Sequence, residues 1–492
     1  MSPRLWLAAL GAALAGCAGL PPSPFETHLT SQSAELRECA AWYRDLDNAV
    51  EAAGVRDVQY TRMQGFPYMR VDRLLASLAG RAAANEVAMR AWSDHLLELD
   101  LEARRAEIDN LPVRLAGAAL QRTRMCGALL RDADLASPEA RKAMLGAARV
   151  PDDYSDSDRT VGLYSVTRLA FARGVRRWEA ESRAAFEREP PAHPVLVRFS
   201  PPSGGGGALS RAGVAAILGR AELDPLGLPT LSVRELTRIA ALYAPSFEIP
   251  VSGDYDRFGA LRWQGGATPE VDTTAPTAYV QQAYTRYGDR VLLQLVYTVW
   301  FPERPADPGV DLLAGRLDGL VWRVTLAPDG EPLLYDSIHP CGCYHQFFPT
   351  PRARVRPAPD PDDEWAFVPK ALPRVAEDER PLVRLAPRTH YIEQVSMVRG
   401  ADSVSRYAFL DYDELRSLPF TGGTRRSVFG SDALIAGTER TERFLYWPMG
   451  IASPGAMRQW GRHATAFVGR RHFDDADLIE RRFEVDLAGS AR

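Results

Sequence analysis

Through the first 190 residues, apolar side chains recur every three or four positions. Leu36, Cys39, Ala40, Tyr43 and Leu46 fall on one face of a helix from Ala34 to Ala53, which Gly54 closes. The stretches Arg81 to Asp109 and Val113 to Asp132 repeat the pattern with many Ala and Arg residues. Ser137, Pro138 and Glu139 read as a helix start, because Ser caps the first turn and Pro fits within it. Thr167 to Arg188 predicts a further helix that stops before Pro190. Together these segments predict a helical domain over residues 33–199. Ser200 to Gly207 is too rich in Gly, Ser and Pro for regular structure, so residues 200–210 are expected to form a linker.

Beyond it, Ser232 and Glu235 have the spacing of a capping box, opening a helix through Tyr243. After Pro245 the period shortens to two. Val291 to Phe301 is apolar on both faces, which predicts a buried central strand. Leu320 to Leu326 and Pro332 to Ile338 flank Pro328-Asp329-Gly330 and predict a β-hairpin, since Pro presets one turn dihedral and Gly permits a positive one. Val355 to Pro373 reads as a loop, and Val383 to Leu385, Tyr407 to Leu410 and Arg443 to Trp447 read as further strands. The expected fold class is α+β: a helical N-terminal domain, then a β-rich domain over residues 211–492 carrying a central hairpin.

The first residues change the picture. Arg4 precedes a short apolar run from Leu5 to Leu14, and the run ends in Leu14-Ala15-Gly16-Cys17. This resembles the signal peptide and lipobox of bacterial lipoproteins. The resemblance implies a signal peptide over residues 1–16, a lipidated Cys17, and a Pro-rich tether through residue 32. It also implies attachment to a membrane through the lipid. Ala18 resembles the pattern that sorts such proteins to the outer membrane, on its periplasmic face. Protein partners in the envelope are expected with it.

With 492 residues, two or three domains are expected, and a 46% hydrophobic fraction supports real cores. A net charge of −4 argues against a nucleic-acid partner, which needs a basic patch. Outside the cytoplasm, thiols tend to be paired or metal-bound. Cys39 and Cys126 both lie in predicted helices, where they either bridge two helices or stay buried as free thiols.

Candidate chemistry is concentrated where the hairpin's second strand ends. His339, Cys341, Cys343 and His345 fall within seven residues, interleaved with Pro340, Gly342 and Tyr344. His and Cys bind borderline-soft metals such as zinc or copper. In an extended strand the two His would stand about 20 Å apart, so the chain must fold back for them to share an ion. His463 and His472 are candidate additional ligands, with Asp474 able to orient either. A second reading is a redox-active Cys-x-Cys pair, and a third is a structural turn. No Gly-x-Ser-x-Gly elbow, phosphate-binding loop or His-Glu-x-x-His helix is present. The functional expectation is an envelope protein with a His/Cys metal site, or a metal-dependent enzyme. The alternative is a non-catalytic scaffold or binding lipoprotein with a structural Cys-x-Cys turn.

Overall fold

A computed structural model describes residues 23–113, 117–189, 195–202, 209–309, 311–399 and 405–489. Cys17 and Gly204 to Gly207 lie outside the described residues. The fold is α+β, with helices mainly in the first half and sheets mainly in the second.

Three of the long helices pack together in the first half: Ala34–Ala53, Glu86–Asn110 and Ala119–Leu135. Ser33 and Asn85 cap the first two through their side chains, and Gly54 ends the first in the left-handed region. A disulfide joins Cys39 to Cys126 and ties the first helix to the third. Tyr43, Trp92, Leu96 and Leu130 fill the space between the helices, together with Tyr68 from a small hairpin of Thr61–Met63 and Phe66–Val71.

Among the described residues, the second half is built on two main sheets, with three two-stranded ones beside them. The larger has six strands in the order Gln346–Pro349, Pro332–Ile338, Gly315–Leu326, Arg290–Arg304, Thr277–Tyr287, Ala408–Asp411. Val291 to Phe301 lies in a central strand, and Pro332–Ile338 pairs with Gly315–Leu326 as an antiparallel hairpin. The smaller sheet has five strands in the order Ile392–Arg399, Glu379–Leu385, Ser246–Pro250, Leu196–Ser200, Ser405–Arg406. One core lies between them, built from Tyr297, Val299, Phe301 and Trp322 of the first and Phe247, Ile249, Val383 and Leu385 of the second.

Two readings of the sequence need correction. Leu196–Ser200 belongs to the smaller sheet, so the helical unit ends before the Gly-rich stretch rather than at it. Arg443–Tyr446 is a helical turn, not a strand: the Leu445 and Tyr446 N–H groups donate to the Glu442 carbonyl, which satisfies this short apolar run locally. The halves are joined by buried polar contacts. The Arg416 guanidinium donates to both Asp57 oxygens at 2.9 and 3.0 Å, and Asn110 donates to the Arg416 carbonyl at 2.8 Å.

The long helix Tyr164–Glu187 positions the candidate site. It leaves the helical half and crosses the end of the hairpin formed by Pro332–Ile338 and Gln346–Pro349. Trp178 packs on Tyr344 and Phe367, Phe186 packs on Phe348, and Gln346 donates to Ser182 at 3.0 Å. Among the described residues, no helix is long and apolar enough to cross a membrane.

Candidate functional site

Strand alternation decides where the His/Cys segment points. Tyr335 faces the core between the sheets, and Ser337 and His339 continue that face. Leu334, Asp336 and Ile338 face the other way. The chain then turns tightly: Gly342 donates to the His339 carbonyl at 2.8 Å, and His339 donates to the Cys343 carbonyl at 3.0 Å. Ser337 pairs with Gln346 across the turn, so His345 falls beside Asp336 on the opposite face from His339.

The two imidazoles therefore serve separate carboxylates. His339 Nδ1 lies 3.2 Å from Asp318, and His345 Nε2 lies 3.0 Å from Asp336. Arg323 pairs with Asp336 through two of its nitrogens and lies over the Phe473 ring. Burial pushes the His345 ring down to about 3, so it is neutral. The four candidate metal ligands are thus split: the turn keeps Cys341 and Cys343 together, and the His rings point to either side. His463 is buried between Trp460 and Phe473, where burial holds it down at about 3. His472 meets Asp152 at 3.2 Å and Asp475 at 3.3 Å. Asp474 pairs with Arg73 at 3.3 Å instead of orienting a histidine. Among the described residues, no three His, Cys, Asp or Glu side chains converge in an arrangement able to hold a metal ion.

Cys341 and Cys343 are both free thiols. The Cys343 N–H donates to Cys341 Sγ at 3.4 Å. The hydrogen bond with Cys341, reinforced by burial, holds the Cys343 thiol well above the usual thiol range. Arg458 lies close enough for its charge to act on both sulfurs, and it donates to the Cys341 carbonyl at 3.1 Å. Gly342 is the only residue type this turn admits. Its φ is +90°, and a Cβ there would stand 2.4 Å from the Ala464 carbonyl oxygen. Tyr344 also has a positive φ, of 61°, which is uncommon for a bulky side chain.

Cys341 and Cys343 both line a pocket of about 450 Å³ beneath the crossing helix. Phe171, Trp178, Phe367, Tyr391, Tyr446 and Phe467 make it largely apolar, while Glu179, Glu364, Glu442 and Arg471 supply its charge. Burial pushes the Glu442 carboxyl up to about 7, against the opposing charges of Arg440 and Arg304. A mostly apolar pocket of this size with a few convergent polar groups is the usual form of a small-molecule site.

Sequence reasoning missed Asp318, Asp336, His390, Glu442 and the whole helical wall. Only Asp318 and Asp336 had a signal: charges inside strands that are otherwise buried. No family model, curated protein or solved structure matches this chain.

Proposed function

We propose that the pocket beneath the crossing helix binds a small, largely apolar molecule carrying a disulfide, and that Cys341 and Cys343 reduce it by thiol–disulfide exchange. The observation that carries this reading is two reduced sulfurs side by side on the wall of an apolar cavity. Cys341 is the attacking sulfur, because the Cys343 N–H donates to its Sγ, while the Arg458 charge acts on both sulfurs. Its thiolate attacks one sulfur of the substrate. The substrate S–S bond breaks, and the leaving thiolate takes a proton. Cys343 then gives up its proton and attacks Cys341 in the mixed disulfide, expelling the second thiol. The site ends as a Cys341–Cys343 disulfide, and an external thiol must restore it. An envelope location fits this reading: the lipobox-like Leu14 to Cys17 and the Cys39–Cys126 disulfide are both features that an exported chain would carry.

The test is redox titration of the native chain with glutathione, thiol trapping and peptide mass mapping. A Cys341–Cys343 disulfide should form and reverse, and Cys343→Ser should accumulate the mixed disulfide on Cys341. Sulfurs that no trapping reagent reaches without denaturant would overturn it. The adjacency of the sulfurs also supports a second reading, a soft ion such as copper(I) or zinc held by the pair. That reading requires His339 or His345 to leave its carboxylate, so His345→Ala would weaken metal uptake while sparing the disulfide.

A further inference from the structure

A second pocket, of about 250 Å³, shares Trp178, Tyr344 and Tyr391 with the first as a common wall. Ser337 and His339 both line it. They stand two residues apart, on the same face of the strand and its continuation. The Ser337 backbone is paired on both sides in the sheet, yet its hydroxyl is buried without a hydrogen-bond partner. A buried hydroxyl left unpaired costs stability, and one that lines a cavity is available to a ligand there.

His339 is held from behind. Its Nδ1 lies 3.2 Å from one Asp318 oxygen, which also accepts from the Gly319 N–H at 2.9 Å. The other Asp318 oxygen lies 2.8 Å from His390 Nδ1. His390 Nε2 donates to the Tyr255 carbonyl at 3.2 Å, and its ring stacks on Phe301 at 3.9 Å. Burial alone would raise Asp318, but the two imidazoles outweigh it and keep it ionised. An ionised carboxylate on Nδ1 places the histidine proton there and leaves Nε2 as the basic nitrogen.

We propose that Ser337, His339 and Asp318 form an acyl-transfer site acting on a small carboxylic ester, separate from the dithiol. With the ester bound, Ser337 Oγ, unpaired in the free chain, turns to His339 Nε2, passes its proton there, and attacks the ester carbonyl carbon to form the new C–O bond. Collapse breaks the bond to the leaving alcohol, which takes that proton. Water then attacks the acyl-serine with His339 as base; its hydroxyl stays on the acid and its second proton returns to Ser337. Asp318 positions His339 and stabilises its cation without being protonated. The pocket's size and the apolar side chains of Leu320, Trp178 and Ile392 select a short acyl chain.

The test treats the full-length chain with a small dialkyl fluorophosphate and with p-nitrophenyl acetate. Fragment mass spectra should place the phosphoryl adduct on Ser337 and not on the nearby sulfurs. Ser337→Ala should abolish the adduct and lower ester turnover by about 100-fold or more, with its melting temperature unchanged or higher, since an orphaned hydroxyl is removed. His339→Gln should slow labelling comparably. No adduct on Ser337 in the folded chain, or undiminished turnover in either variant, would overturn the proposal.

Discussion

The helical half and the hairpin tip both bury polar groups, but they treat them differently. Between the helices, Arg70 and Arg104 are wholly buried, and each lies between carboxylates. Arg70 reaches Asp100 at 3.1 Å and Glu107 at 2.6 Å, and Arg104 reaches Glu107 at 3.0 Å and Asp47 at 2.7 Å. Burial alone would raise Glu107, yet Arg70, Arg104 and Arg62 hold it down at about 2. At the hairpin tip, Ser337 Oγ is unpaired, Cys343 keeps its proton, and Glu442 is pushed up toward neutrality. The first region resembles a network built for stability. The second leaves groups unneutralised where they face cavities, which is the pattern of a site awaiting a ligand.

The comparison predicts opposite responses to substitution. Arg70→Ala removes a buried cation shared by Asp100 and Glu107, leaves their charge to Arg104 and Arg62, and should cost about 3 kcal/mol of stability. The denaturant midpoint should fall accordingly, while thiol trapping at Cys341 in the folded fraction stays at the wild-type rate. A loss under about 1 kcal/mol would break the contrast, because the charges would then be relieved by water or by each other. The Cys39–Cys126 disulfide belongs with this network, since it ties together two helices of the same core. Replacing both cysteines by Ser should cost about 2–4 kcal/mol, read as a lower melting temperature, again with Cys341 and Cys343 still reactive.

How much of this was legible depended on how local each interaction is. Helical spacing predicted Ala34–Ala53 with the observed bounds, and the Pro328-Asp329-Gly330 turn predicted the hairpin. Both signals are carried by neighbouring residues. Arg443–Trp447 misled because five residues are too few to separate a strand from a helical turn. The density of His and Cys drew attention to this turn but suggested one shared centre. The pairing of Ser337 with Gln346 sends the two His to opposite faces, and composition carries no sign of that register. The partners that give each group its chemistry lie far along the chain: Asp318 and His390 for His339, and Trp178 and Glu442 for the sulfur pocket. They meet only after both sheets and the crossing helix are in place.

A smaller effect is expected from Gly342→Ala, and it tests whether the turn itself holds the sulfurs. A methyl group would meet the Ala464 carbonyl oxygen, and the φ of +90° would be strained for any side chain. The change should cost about 1–3 kcal/mol. Its functional signature should be larger: relaxing the turn separates Cys341 from Cys343, so the disulfide between them should form more slowly on oxidation. Unchanged disulfide formation alongside lost stability would move this turn into the same class as the helical network.

The last effect sharpens the comparison by sign. Glu442 is 5% exposed and faces the sulfur pocket. Burial lifts its carboxyl from the ordinary 4.5 to about 7, with Arg440 and Arg304 opposing and Asp311 adding to the rise. Between those two values the folded chain holds a proton that the unfolded chain has released. Its contribution to stability is therefore fully present below 4.5 and is lost as pH rises through about 7. Glu107 runs the other way: held at about 2, it contributes stability above 4.5 that is lost as pH falls toward 2. Near neutrality Glu442 titrates by about half a proton, a slope under about 1 kcal/mol per pH unit. Glu442→Gln keeps the shape and removes the titration. Denaturant midpoints of the two chains, measured from about pH 5 to about pH 8, should converge in acid and separate toward base, with the variant the more stable. Parallel profiles would mean that Glu442 is neutralised by a partner, as Glu107 is by the arginines of the helical network, and the contrast between the two regions would fail there.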